Sequence, residues 1–272
     1  MFLMVAANQT QYNKFIKEHR GQGHGSNYHP WLTVRDLASQ GRSHRILGHT
    51  TSRTYHLFSD LELAVFLILD WNKCITDMRE QFPLRIEDTE EVAASLKVKH
   101  PYYKGHNQIM TSDFLVNSSL PKIMKFSLQV KYSTDLNDVR VIEKLEIERR
   151  YWKKKNIPWF IITEKEISPV ILENIKWLYP VSQALPDTRT NESERIDFYK
   201  YQFRFCAGYN VITFSQLVDK TYSLEPGTTL SELRYLIANR YILFDISVSF
   251  RVLLIESMFF ANTTSYIEKA NA

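Results

Sequence analysis

The spacing of apolar residues along this chain changes between two periods, and the changes mark out its elements. Residues 8–20 place Tyr12, Phe15 and Ile16 on one face of a short helix. From Ser59 to Trp71 the run is almost wholly apolar, which predicts a helix packed deep against a sheet. Ser59 followed by Glu62 reads as a capping box at its start. Cys74 to Met78 is a candidate first strand, and Phe82-Pro83-Leu84 closes that unit. Residues 85–107, charged and turn-rich, read as a surface excursion. Met110, Phe114, Leu115 and Val116, then Phe126, Leu128 and Val130, suit two strands joined by the turn-rich segment Asn117 to Lys122. Asp138 to Asn156 is an amphipathic helix phased by Val141, Leu145, Ile147 or Glu148, and Trp152, and Pro158 stops it. Trp159 to Thr163 is a continuously apolar strand of the kind expected in a sheet interior.

The order helix, three strands, helix, strand is followed by a second set of elements. Ser168-Pro169 opens a helix that runs to about Leu178, with serine at the cap and proline at the first turn. The polar stretch 183–195 reads as a linker. Helices over 196–206 and 213–220, the periodic segment 229–239 and a strand over 242–247 then suggest a winged-helix-like module. The expected division is 1–165 and 166–272.

At 272 residues, with 44% hydrophobic and 13% aromatic side chains, the chain can bury substantial cores and does not resemble a disordered sequence. Cys74 and Cys206 offer neither a disulfide framework nor a four-cysteine zinc site, which fits a reducing, cytoplasmic setting. The start Met1 to Ala7 lacks the basic region and apolar length of a signal peptide, and Asp245, Arg251 and Glu256 interrupt the most apolar late stretch. No membrane association is expected. The net charge of +4 is concentrated in residues 1–60, which also hold six of the eight histidines, whereas residues 164–272 are slightly acidic. A polyanion would therefore meet the front of the chain, and a protein partner the back.

Several residues carry chemistry. On the second central strand Gln129 and Lys131 share a face, and the hairpin lays Asp113 beside Lys131. Asp113 is a hard oxygen ligand suited to Mg2+ or Mn2+, and Lys131 can offset charge developing on a phosphate. This D…x-x-K layout, within an αβββαβ order, resembles the PD-(D/E)xK nucleases, with Gln129 where a second acid usually stands. An edge strand bearing a solvated lysine accounts for the same residues. Glu62 is explained by the capping box and is equally well placed as a metal ligand, so both readings stand. Gly21, Gly23 and Gly25 lack the strand and the Gly-Lys-Ser/Thr of a phosphate loop. They fit either a flexible surface loop or one that touches a DNA backbone with Arg20 and His24. Arg42, Arg45 and Arg53 continue this basic theme. Lys153, Lys154 and Lys155 suit either a solvated helix end or DNA contact. His24 and His29 have no cysteine or acid at the spacing that zinc needs.

Longer segments point further. Tyr28-His29-Pro30-Trp31-Leu32-Thr33-Val34, Leu61-Glu62-Leu63-Ala64-Val65-Phe66, Arg79-Glu80-Gln81-Phe82-Pro83-Leu84, Asp113-Phe114-Leu115-Val116, Gln129-Val130-Lys131 and Glu146-Ile147-Glu148-Arg149-Arg150-Tyr151-Trp152 closely resemble TnsA. That family is the endonuclease subunit of Tn-seven-type heteromeric transposases, including those directed by CRISPR systems. The resemblance is specific over about 19–180 and looser beyond. It implies catalytic roles for Glu62, Asp113 and Lys131, and metal ligation by Glu62, Asp113, Gln129 and the Val130 carbonyl. It further implies a Mg2+-dependent endonuclease, with Mn2+ substituting, that cuts the 5′ ends of transposon-end DNA. The DDE transposase TnsB would act at the 3′ ends and supply end specificity, and the AAA+ regulator TnsC would be met by the carboxyl-terminal region. A self-sufficient restriction-type nuclease and a non-catalytic adaptor are the competing readings.

Overall fold

A computed structural model describes residues 9–36, 42–103, 105–182 and 191–261. Met1 to Ala7, Gly41 and the 183–190 part of the expected linker lie outside these residues. The chain divides into two compact units, Met1–Ile167 and Ser168–Ala272.

The first unit opens with α1 (Gln9–Lys17), then the hairpin β1 (His44–Leu47) and β2 (Thr54–Leu57). Next come α2 (Asp60–Trp71), β3 (Ile75–Pro83), α3 (Ile86–Leu96) and a two-stranded ribbon, β4 (Tyr102–Tyr103) with β5 (His106–Asn107). The remainder is β6 (Thr111–Ser118), β7 (Lys125–Val130), α4 (Val139–Lys154) and β8 (Trp159–Ile162). The central sheet has the order β3-β6-β7-β8. β3, β6 and β7 are antiparallel neighbours, while α4 carries the chain across so that β8 lies parallel to β7. The result is a mixed α/β unit.

The local reasons are visible in the caps and buried faces. The Ser59 hydroxyl accepts the Glu62 N–H at 3.0 Å, starting α2, whose Leu61, Ala64, Val65, Phe66 and Leu67 are buried. Asp138 caps α4 by accepting from Arg140 N–H at 2.7 Å. Ile147, Tyr151 and Trp152 on α4 pack with Leu84, Met110 and Leu115. Phe15, Trp31, Leu32 and Phe58 form a second cluster.

The first unit corrects or adds to several expectations. Residues 85–107 are no mere excursion, because α3 inserts Val92 and Ala93 into the α4 core. The basic stretch before α2 contains the β1–β2 hairpin, each strand only four residues long. β8 is not an interior strand: it ends the sheet, and Phe160 is 43% exposed. The glycine loop is tied down rather than slack. Gly21 N–H donates to His29 O at 2.6 Å and Gly25 N–H to the Asp77 carboxylate at 3.2 Å. Gly23 has φ +90°, and a Cβ there would lie 2.2 Å from Asn27 O.

The second unit is mainly helical: α5 (Pro169–Leu178), α6 (Glu192–Phe203), α7 (Val211–Thr221) and α8 (Thr228–Ala238), with β9 (Ile242–Leu243) antiparallel to β10 (Phe259–Phe260). Ile175, Leu178, Tyr199, Phe214, Val218, Leu233 and Leu236 are buried. α6 starts at Glu192 under an Asn191 cap, inside the stretch expected to be linker. The expected strand over 242–247 stops early because Asp245 turns the chain, accepting from Ser247 N–H at 2.9 Å.

Candidate active site

The site forms where β6 and β7 stop pairing. The ladder between them ends at Phe114↔Leu128, so the next residues beyond it, Asp113 on β6 and Gln129 on β7, open the fork. Within it the Asp113 carboxylate accepts the Val130 N–H at 2.7 Å, and the Gln129 amide oxygen accepts the Asp113 N–H at 3.3 Å. Lys131 Nζ lies 3.6 Å from Asp113 Oδ2 and donates to the Val130 carbonyl at 2.9 Å. Asp113 and Lys131 are each 5% exposed and Gln129 1%.

Glu62 arrives from the first turn of α2. Its carboxylate accepts from the Phe58 N–H at 3.0 Å and the Ser59 hydroxyl at 3.1 Å. Burial, followed by the charge of nearby Asp113, pushes its pKa up to about 8. The capping-box reading and the site reading are thus satisfied by one side chain. Its carboxyl group serves the cap while its electrostatics register Asp113 and Lys131.

Glu148 on α4 was seen in the sequence only as a possible helix phase. It is fully buried, accepting from the Ser112 hydroxyl at 2.6 Å and from Trp159 Nε1 at 2.9 Å, while its Oε2 has no hydrogen-bond partner among the described residues. Burial raises its pKa to about 8, with Asp113 adding to the rise. The signal was an acid in phase with Leu145 and Trp152 on the apolar stripe. Three carboxyl groups therefore lie within electrostatic range of the Lys131 ammonium, which Lys144 on α4 also senses, and burial of the acids favours their protonation or a bound cation.

Among the described residues no three His, Cys, Asp or Glu side chains form a ready-made metal cluster. The donors present are the Glu62 and Asp113 carboxylates, the Gln129 amide oxygen and the Val130 carbonyl. This all-oxygen set suits a hard divalent cation such as Mg2+ or Mn2+ and not zinc.

The residues expected to meet DNA differ in exposure and in partners. Arg42 and Arg45 are exposed, as are Lys153 and Lys154, the last paired with Glu91 at 2.8 Å. His24 is exposed but contacts Asp77 at 3.3 Å. Arg20 and Arg53 depart from expectation. Arg20 binds Asp36 at 2.6 Å and Trp31 O at 3.1 Å, and Arg53, 8% exposed, is locked onto buried Glu80 and Met78 O. Both guanidiniums hold the protein's own interior.

A carboxylate–lysine site at the fork of a mixed sheet, with oxygen donors for a hard cation, is the kind found in phosphodiester-cutting nucleases. The family described as TnsA-like endonuclease N terminal matches residues 72–164, which include Asp113, Gln129 and Lys131, and TnsA endonuclease C terminal matches 166–246. The Transposon Tn7 transposition protein TnsA of Escherichia coli is 48% identical over 244 residues, covering 90% of this chain and 89% of that one. The chain belongs to the TnsA family of endonucleases. No helix among the described residues is long and apolar enough to cross a membrane.

Proposed function

We propose that this chain is the endonuclease subunit of a Tn7-like transposase, cutting the 5′ ends of the transposon with a divalent cation while a TnsB-type DDE transposase processes the 3′ ends. The first unit is read as a PD-(D/E)xK domain built on α2, the central sheet and α4. The second is read as a winged-helix-like module that meets a TnsC-type AAA+ regulator. The observation that carries the proposal is the convergence of Glu62, Asp113 and Lys131 from three elements in a chain of this family.

Glu62 and Asp113, with the Gln129 amide and the Val130 carbonyl, would hold Mg2+ or Mn2+. When bound, the cation would neutralise phosphate charge and lower the cost of deprotonating water. Asp113 is oriented by the Val130 N–H, and Lys131 Nζ is held by the Val130 carbonyl beside it. In this reading the ammonium would offset charge gained by a phosphoryl oxygen, in a site shielded from solvent. Exposed Arg42, Arg45, Lys153 and Lys154 are candidates for salt-dependent backbone contacts that add affinity without sequence information.

The test is strand cleavage of labelled transposon-end DNA with a TnsB-type partner and Mg2+. Wild type should cut the 5′ strand only with the partner present, and Asp113→Ala should be slower by roughly a thousandfold or more. Partner-independent cutting would favour the restriction-type nuclease. Equal cutting by Asp113→Ala would remove the catalytic assignment and leave an adaptor.

A further inference from the structure

Gln81 stands in β3 with features that its strand alone does not require. Its φ is +48°, the left-handed region that a non-glycine residue rarely occupies within a strand. It lies between the pairs Glu80↔Phe114 and Phe82↔Ser112, across from Asp113, and the β3–β6 pairing skips this position, as it also shifts register between Ile75 and Asp77. Its carbonyl accepts the N–H of buried Trp31 at 3.3 Å. The side chain is 1% exposed. Its Oε1 accepts from the Thr111 hydroxyl at 3.0 Å, and Thr111 shares the Asp113 face of β6, two residues away. Its Nε2 has no hydrogen-bond partner among the described residues.

A buried amide with one end anchored and the other unpaired is a poor way to fill space, since methionine or leucine would occupy it without an uncompensated donor. Strained backbone is retained where the surroundings over-determine it, and such residues cluster at functional sites. A neutral N–H donor at the strand position across from Asp113 suits an anionic oxygen and adds no charge of its own. We infer that Gln81 is a DNA-phosphate contact of the endonuclease site. Its Nε2 donates to a non-bridging oxygen of a phosphodiester adjoining Asp113, while the Thr111 hydroxyl fixes the amide. The role rests on the reading that Asp113 marks the cutting site. It adds a specific residue outside the Glu62, Asp113, Gln129, Val130 and Lys131 set.

The experiment is single-turnover 5′-strand cleavage by the full chain with its transposase partner and Mg2+, using wild type, Gln81→Leu, Gln81→Glu and Asp113→Ala. The DNAs carry a neutral methylphosphonate at one phosphate at a time around the cut, and thermal unfolding is followed in parallel. Gln81→Leu should slow cleavage by roughly 10- to 100-fold, the size of one hydrogen bond to a charged group. Gln81→Glu, which preserves shape but replaces the donor with a carboxylate, should be slower still. At one phosphate the penalties of Gln81→Leu and of methylphosphonate should fail to add, because each removes the same contact. Additive penalties at every position, or a Gln81→Leu defect that merely follows a lowered melting temperature, would overturn the assignment. So would wild-type cleavage by both Gln81 variants alongside an inactive Asp113→Ala. Should Asp113→Ala itself cut normally, the underlying site reading fails, a result distinct from all of these.

Discussion

Two buried glutamates in the first unit show how differently a protein can treat the same charge. Glu80, 0% exposed, faces the guanidinium of Arg53 with both carboxylate oxygens and also accepts the His56 N–H at 3.3 Å. Arg53 in turn stacks 3.7 Å from the Tyr55 ring centroid and donates to Met78 O. Glu62, 7% exposed, accepts only from neutral donors, and the charges that act on it are Asp113, which raises its pKa, and Lys131, which lowers it less. Glu148 nearby has the same character. The contrast teaches that a charge serving the fold arrives with its counter-charge, whereas the fork of β6 and β7 gathers carboxyl groups without such partners, so that burial keeps Glu62 and Glu148 protonated up to about pH 8. Such imbalance is tolerated where function uses it.

Breaking the paired cluster should have the larger effect on stability. Arg53→Ala strands Glu80 without a counter-charge and should cost about 3–5 kcal/mol in denaturant unfolding. The double variant Arg53→Met with Glu80→Leu should recover most of that, since the pair is replaced as a unit. A double variant as unstable as Arg53→Ala would show that the cluster does more than satisfy itself.

The unpaired cluster should reveal itself through pH. Glu62 and Glu148 have folded pKa values of about 8 against an ordinary value of 4.5, so the native state binds more protons than the unfolded chain between those values. Their contribution is fully present below about pH 4.5 and is lost as pH rises towards 8. Without divalent cations, the melting temperature should fall by several degrees from pH 5 to pH 8. Glu148→Gln should flatten that slope. Carboxylates with depressed values, such as Glu146 at about 2 beside Arg149 and Arg150, change protonation below this window.

The smallest effect is expected at the surface. Lys154→Ala breaks an ion pair with Glu91 whose side chains are 53% and 68% exposed, and should change stability by no more than about 0.5 kcal/mol. If Lys154 contacts DNA, the same variant should still weaken binding and reduce its salt dependence.

Much of this was legible because the relevant signals are local. Ser59 and Glu62 announce the α2 cap, Asn117 to Lys122 the hairpin turn, and Ser168-Pro169 the start of α5; each depends on contacts within a few residues. α3 was hidden because Glu87, Asp88, Glu90 and Glu91 outweigh the narrow buried face of Thr89, Val92 and Ala93, and Arg85 provides no side-chain cap. Arg20 and Arg53 read as solvent-facing cations because nothing near them in sequence discloses Asp36 or Glu80 as partners. Glu148 and Gln81 were obscure for a related reason. Their significance lies in an atom left unpaired after the fold has formed, and no periodicity encodes that.

The central claim is that the uncompensated carboxylates at the β6–β7 fork constitute a divalent-cation site. Calorimetric titration of Mn2+ and Mg2+ into wild type, Asp113→Asn and Arg53→Met/Glu80→Leu at pH 8 tests it directly. Wild type and the Arg53/Glu80 variant should bind saturably, and Asp113→Asn should not. Equal binding by all three, or no binding by folded wild type, would contradict it.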